Sequence, residues 1–155
     1  MLKTVLSTTL IISTFSLNAM AYDETKAAQL DKFYSHVTQK NAAKSTLKIE
    51  APEVMKMLRD KVKFTFLDIR TEGEMAVIGL KTPNRLEIPL EHLFEKKNLD
   101  RLPTDEPIVL VCHSGSRAML AVADLKMLGF RNIRVMKNGM VAIAVGANVK
   151  ESPLK

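Results

Sequence analysis

Little in this chain can be cross-linked, stacked or coordinated. It holds one cysteine, Cys112, in 155 residues. That excludes an internal disulfide, a CxxC dithiol pair and a zinc site built on several thiolates. The three histidines, His36, His92 and His113, lie far apart with no ligand spacing, so neither a metal nor a cofactor is expected. Tryptophan is absent and aromatic residues make up 5%, so the stacking platforms that grip single-stranded nucleic acid are missing. The formal charge is +6, yet the lysines are scattered and form no basic run. A solvated basic surface with a mild pull on small anions fits this, and nucleic acid is not an expected partner. Hydrophobic residues at 46% and charged residues at 26% exclude both a disordered tail and a multi-span membrane protein. The length is that of one domain, with no internal repeat and no low-complexity linker.

The first 21 residues read as a targeting segment. Met1-Leu2-Lys3 is a short positive start, Thr4 to Leu17 is mostly apolar and uncharged, and Ala19-Met20-Ala21 offers a small-residue cleavage site before Tyr22. This is the layout of a secretory signal peptide. A retained anchor is the rival reading, because Thr4 to Tyr22 gives 19 uncharged residues, near the length of a span. Ser, Thr and Asn dilute that stretch, and the small residues favour removal. The mature chain, residues 22–155, is then expected in the periplasm without stable membrane insertion. It loses only Lys3 among charged residues, which takes the balance from +6 to +5. No cysteine follows the apolar stretch, so a lipoprotein anchor is excluded. Export also changes the meaning of Cys112. Exported proteins usually pair their cysteines. An unpaired one is either a buried hydrophobe or a thiol kept for chemistry.

Residues 22–46 form a polar leading segment with a loose helical pattern, in which Ala27, Leu30, Phe33, Tyr34 and Val37 share one face. Such a helix packs on the domain or, through residues 23–45, holds a protein partner. From residue 47 to 148 strands and helices alternate. Strands are expected at Leu47–Ile49, Phe64–Ile69, Arg85–Ile88, Ile108–Cys112 and Ile133–Met136. Helices are expected from Pro52, over Glu72–Ile78, Leu90–Leu99 and Arg117–Leu128, and over Met140–Val145. Residues 149–155 are a tail. This alternation predicts an α/β fold, an open parallel sheet with helices on both faces. The run Ile108-Val109-Leu110-Val111 suits a central strand buried on both sides. The apolar stretch Ala118 to Ala123 predicts a helix buried around most of its circumference. The seven methionines of the mature chain do not cluster, which favours core filling over copper handling.

The chemistry gathers in Cys112-His113-Ser114-Gly115-Ser116-Arg117, between a buried strand and a buried helix. In such a sheet ligands bind beyond the carboxyl ends of the strands. Small residues let the backbone curl so that successive N–H groups point inward. The following helix adds its unsatisfied N–H groups and the positive end of its dipole. Arg117, expected at the first helical position, sets a guanidinium at the rim. An anion would meet donors from most sides, and a sulfur anion at Cys112 would be held beside it as a nucleophile.

With these residues in view the chain resembles the rhodanese-like sulfurtransferases. Cys112-x4-Arg117 after Ile-Val-Leu-Val is similar to their active-site loop. Leu67-Asp68-Ile69-Arg70-Thr71 is similar to their Asp-x-Arg strand end. Ile88-Pro89-Leu90, the run into Leu102-Pro103, and Gly129-Phe130-Arg131-Asn132-Ile133 continue the likeness over about residues 47–145. Two stretches depart from the family pattern. Gly79 to Asn84 lacks the usual histidine, and Asn138-Gly139-Met140 with Ile143 replaces a glycine pair and a tryptophan. These departures bear on substrate preference more than on sulfur chemistry.

The resemblance implies a single-domain exported enzyme in which Cys112 takes sulfur from a small anionic donor such as thiosulfate. It becomes a persulfide, then passes the sulfur to a thiol or cyanide. Arg117 would orient the donor or the loop, and Ser114, Gly115 and Ser116 would supply backbone donors, their hydroxyls being alternatively helix caps. His113 either adds charge at the mouth or faces solvent. Asp68 and Arg70 would support the site, Asp68 by buried pairing with the loop backbone. Two other functions compete. A phosphatase or arsenate reductase also uses a thiolate loop ending in arginine, but with five intervening residues rather than four. A phosphatase would need an acid and an arsenate reductase a resolving cysteine, and neither is evident. A non-catalytic persulfide carrier or binding module would share Cys112, and only turnover separates it from a catalyst.

Overall fold

The computed structural model describes residues 22–42 and 47–146. The expected signal segment, residues 1–21, and the expected tail, residues 149–155, lie outside the described residues. Residues up to Thr38 form one compact unit and those from Gln39 another. In the first, α1 spans Glu24–Tyr34. Asp23 caps it by accepting from the Lys26 N–H at 3.0 Å. The Phe33 and Tyr34 rings meet edge to face at 4.9 Å. The helix stops before Val37 because Ser35 closes its end, donating its hydroxyl to the Lys32 carbonyl at 2.8 Å.

The second unit begins with a short turn, α2 (Gln39–Ala42), followed by β1 (Lys48–Ile49), α3 (Ala51–Arg59), β2 (Thr65–Asp68), α4 (Glu72–Val77) and β3 (Arg85–Glu87). Then come α5 (Leu90–Leu93), α6 (Lys96–Leu99), β4 (Ile108–Val111), α7 (Ser116–Met127), β5 (Ile133–Met136) and α8 (Gly139–Gly146). The five strands pair in parallel in the order β1-β5-β4-β2-β3. Strand β4 lies in the middle, with Leu110 opposite Leu67 on one side and Val135 on the other. All four of its residues are buried, as a strand covered on both faces must be.

Side chains alternate across the sheet. Phe66, Val109, Val111 and Met136 join Val54 of α3 and Met140 and Ile143 of α8 in one core. Leu67, Leu110, Ile133 and Val135 join Leu93 of α5 and Ala118, Ala121, Val122 and Leu125 of α7 in the other. Full burial of each large side chain contributes ~1.5–3 kcal/mol. The α/β sheet with helices on both faces is the one the alternation predicts.

Two expectations are corrected. Helix α7 buries one stripe, Ala118, Ala121, Val122 and Leu125, and leaves Leu120 71% exposed. The stripe follows the i, i+3, i+4, i+7 spacing of a helix lying on a sheet, so apolar composition overstated its burial. The single helix over Leu90–Leu99 is two short ones. Asn98 is 7% exposed and donates its amide to the His92 carbonyl at 2.7 Å. The chain is extended at Glu95, so this side chain bridges the break.

Candidate active site

After β2 the chain moves to β3 at one edge, and after the neighbouring β4 it moves to β5 on the other side. The connections leaving these two carboxyl ends therefore diverge and open a crevice, the place where parallel sheets bind ligands. The β2 end contributes Asp68, Ile69 and Arg70; the β4 end contributes Cys112 and its loop.

Cys112 is 1% exposed. Its side chain follows Val111 by one residue and so turns toward α7, joining that core. The Gly115 N–H points at the Cys112 Sγ at 3.1 Å. This needs Gly115 at φ +98, a left-handed conformation that side-chain-bearing residues rarely adopt. Gly115 is also the N-cap of α7, with no side-chain cap bond. The alternative, that serine hydroxyls cap this helix, does not hold: Gly115 is the cap residue, and Ser116 is the first helical residue. Arg117 is therefore second in the helix. The first N–H groups of α7 have no intrahelical acceptors, so Cys112 faces the positive end of a helix of 12 residues. Ser114 and Ser116 are exposed.

The back of the loop is held by the start of α8. Met140 N–H donates to the Cys112 carbonyl at 2.9 Å and Val141 N–H to the His113 carbonyl at 3.1 Å. Holding those carbonyls away from the sulfur leaves the Gly115 N–H to face it. Gly139 makes the approach feasible: a Cβ there would lie 2.3 Å from the Cys112 carbonyl oxygen.

Asp68 does not pair with the loop backbone, which corrects the expectation. Its carboxylate takes the Arg70 Nε at 2.9 Å, the Arg70 Nη2 at 2.7 Å and the Arg70 backbone N–H at 3.1 Å. Both side chains are essentially fully buried. The remaining Arg70 donors reach the carbonyls of Glu74 at 3.2 Å and Ile78 at 2.7 Å. The shortest route for a buried carboxylate to be neutralised was a guanidinium two residues away, and that guanidinium in turn fixes α4.

Glu74 is the site residue that sequence reasoning missed. It completes a capping box with Thr71 at the start of α4. It also spans to α7, where Arg117 Nη1 donates to Oε2 at 2.8 Å and Nη2 to Oε1 at 2.6 Å. The Thr71-x-x-Glu74 spacing marks a helix start; nothing in it points to Arg117. The Arg117 pKa is raised above its ordinary value, first by the hydrogen bonds to Glu74 and to a smaller degree by Cys112. His113 is 61% exposed, its Nδ1 3.9 Å from Glu74.

The hydrogen bonds from Arg117 hold the Glu74 carboxyl from 4.5 down to about 2. A folded value below the unfolded one means the pair stabilises fully above about pH 4.5 and loses that contribution as pH falls toward about 2. In urea unfolding, the advantage of wild type over Glu74→Gln should shrink across that window. An advantage that stays constant from about pH 5 to about pH 2.5 would contradict the linkage.

Cavities of 370 and 530 Å³ lie at the opposite, amino end of the strands, sharing Lys63, Pro83 and Asn84 in their walls. Neither includes a residue of the Cys112 loop. We place the site by the sulfur, its aimed N–H and the helix start, because chemistry needs these and a cavity alone supplies none. The arrangement presents a buried sulfur at the end of a central strand, with the Gly115 N–H aimed at it and the start of α7 beside it. Among the described residues no three His, Cys, Asp or Glu side chains are grouped to hold a metal.

A family model for the Rhodanese-like domain matches residues 50–145. A protein of Allochromatium vinosum described as a sulfurtransferase is 30% identical over 96 residues, 62% of this chain and 86% of that protein. Among solved structures, a rhodanese-related protein from Thermoplasma volcanium superposes with a TM-score of 0.55 at 27% identity, over 65% of this chain and 94% of that one. A human single-domain sulfurtransferase shares the fold, with a TM-score of 0.57 at 17% identity over 67% of this chain and 100% of that one.

Proposed function

The chain belongs to the rhodanese-like domain family of sulfurtransferases, and from that premise we propose that Cys112 carries sulfane sulfur as a persulfide, taking it from a small donor such as thiosulfate. The Cys112 thiolate attacks the outer sulfur of thiosulfate. A new S–S bond forms, the bond to the sulfonate sulfur breaks, and sulfite leaves with its electron pair. The persulfide anion stays where the thiolate was, facing the Gly115 N–H and the start of α7. A thiol or cyanide then attacks the terminal sulfur and the Cys112 thiolate is restored. Splitting transfer into two displacements at one sulfur is covalent catalysis. The Gly115 N–H, already aimed at the sulfur, needs no reorganisation as charge moves onto it.

The observation that carries this reading is the Gly115 N–H lying 3.1 Å from the Cys112 Sγ at the mouth of α7. Ser114, Ser116 and Arg117 would complete the cradle, with His113 at its outer side and Asp68 and Arg70 behind it. Residues 22–155 should gain one sulfur atom in intact mass on exposure to thiosulfate, and should release thiocyanate repeatedly when cyanide follows. Cys112→Ser should show neither, with turnover down by about 10³-fold or more. Equal behaviour of the two proteins would end the proposal. A single loading without turnover would make the protein a persulfide carrier instead of a catalyst.

A further inference from the structure

The guanidinium available to bind an oxyanion is already engaged. Both terminal nitrogens of Arg117 meet both carboxylate oxygens of Glu74, at 2.8 and 2.6 Å. This two-pronged match is the one by which an arginine binds a sulfonate or phosphate. Glu74 therefore stands where the oxygens of a free donor would sit to use that edge. It is held there from behind. Its Oε2 accepts from the Thr71 N–H at 3.1 Å and the Thr71 hydroxyl at 3.0 Å. Its helix is tied to buried Arg70 through the carbonyls of Glu74 and Ile78. Swinging the carboxylate aside would give up the capping box as well as the ion pair. The pair is also only partly shielded, with side-chain exposures of 34% and 30%, so its charge is felt by an approaching solute.

We propose that Glu74 is a specificity-determining residue that selects against free oxyanions, by filling the Arg117 fork and by cancelling the guanidinium charge beside the Cys112 loop. The inference rests on the sulfur-transfer reading for its biological meaning. Thiosulfate carries two negative charges and must approach a sulfur anion. With Arg117 neutralised by Glu74, the fixed side-chain charge of the pair opposes neither donor nor nucleophile but helps neither. An organic persulfide, whose S–S bond breaks as the new one to Cys112 forms so that an organic thiolate leaves with the electron pair, carries no oxyanion, does not need the fork and is not penalised. Glu74 acts through Arg117 and does not touch the reacting sulfur, so it is a positioning residue and not a catalytic one.

The test changes one charge. Glutamine at this helix position still completes a capping box, so Glu74→Gln keeps α4 capped while freeing the guanidinium from its counter-charge. Thiosulfate loading of Cys112 in the variant should speed up about tenfold, chiefly through a lower KM, with the gain shrinking as salt is added. An independent readout uses alkylation of Cys112 by iodoacetate, an anion, and by iodoacetamide, which is neutral. The ratio of the two rates should rise about fivefold in Glu74→Gln and stay near the wild-type ratio in Glu74→Asp. A merely structural role for Glu74 predicts slower loading and no change of ratio, and that result would overturn the proposal. So would an equal rise with both reagents, or Glu74→Asp behaving like Glu74→Gln. If wild type takes no sulfur from thiosulfate, the sulfur-transfer reading falls, and the alkylation ratio still decides whether Glu74 withholds Arg117 from anions.

Discussion

Replacing Arg70 by methionine is expected to lower folding stability by about 3–5 kcal/mol. Asp68 and Arg70 have side-chain exposures of 0% and 1%. Removing the guanidinium leaves a carboxylate in the core with its principal counter-charge gone. The nearest replacement is Arg85, whose Nη2 lies 3.9 Å from Asp68 Oδ2, beyond hydrogen-bond reach. The loss also frees two carbonyls of α4, those of Glu74 and Ile78, so the helix that presents Glu74 should loosen. A domain of this size is stabilised by about 5–15 kcal/mol in total, which makes the loss a large fraction. Chemical denaturation of the single variant measures it. The Asp68→Asn/Arg70→Met double variant should recover part of the loss, because most of it is the stranded charge and not the missing bond. A single variant within about 1 kcal/mol of wild type would show that Arg85 moves in to hold Asp68.

The second large effect is expected at Gly139. A methyl group there would sit 2.3 Å from the Cys112 carbonyl oxygen and 2.5 Å from that of His113, and the backbone is left-handed at φ +53. No rotamer relieves a backbone clash, so the loop and the start of α8 must part. The bonds from Met140 and Val141 N–H to the two carbonyls would lengthen or break. Gly139→Ala should therefore destabilise by about 3 kcal/mol. Sulfur transfer should fall by about 10²-fold, since an ångström of misplacement at a reacting centre has that consequence. Gly73→Ala is the matched control, because nothing lies within 4 Å of a Cβ there. A Gly139→Ala protein with wild-type melting and wild-type loading would mean that α8 does not hold the loop.

Much of the fold was legible because it follows from local rules. Strand β5 runs over Ile133–Met136, the four residues its β-branched pattern marks. Helix α3 starts at Ala51, so that Pro52 falls in its first turn, where a missing N–H costs nothing. The Cys112 loop was legible because small residues between a buried strand and a helix let the backbone take a tight turn that larger residues resist. What failed did so where distant groups compete with local preference. The run Leu90–Leu99 has helical spacing throughout, but buried Asn98 satisfies the His92 carbonyl with its side chain and the helix divides. Leu120 looks like core by composition, yet α7 lies on a sheet and can bury only the face that meets it.

The sequence by itself determined the class of sheet, the order of its elements and the sulfur-bearing loop, because hydrophobic period and glycine placement act over a few residues. It also carried the family likeness that the comparisons bear out. Only the tertiary structure decided how the site is wired. Asp68 took Arg70 because burial forces a carboxylate onto the nearest guanidinium. Glu74 took Arg117 because parallel pairing of β2 with β4 brings the starts of α4 and α7 side by side, although 43 residues separate the two in the chain. Gly139 became indispensable because α8 approaches the loop more closely than any Cβ allows. The last two are contacts between segments remote in sequence, set by the register of the sheet and invisible to any window of neighbouring residues; the first joins near neighbours, but only burial decides that they pair.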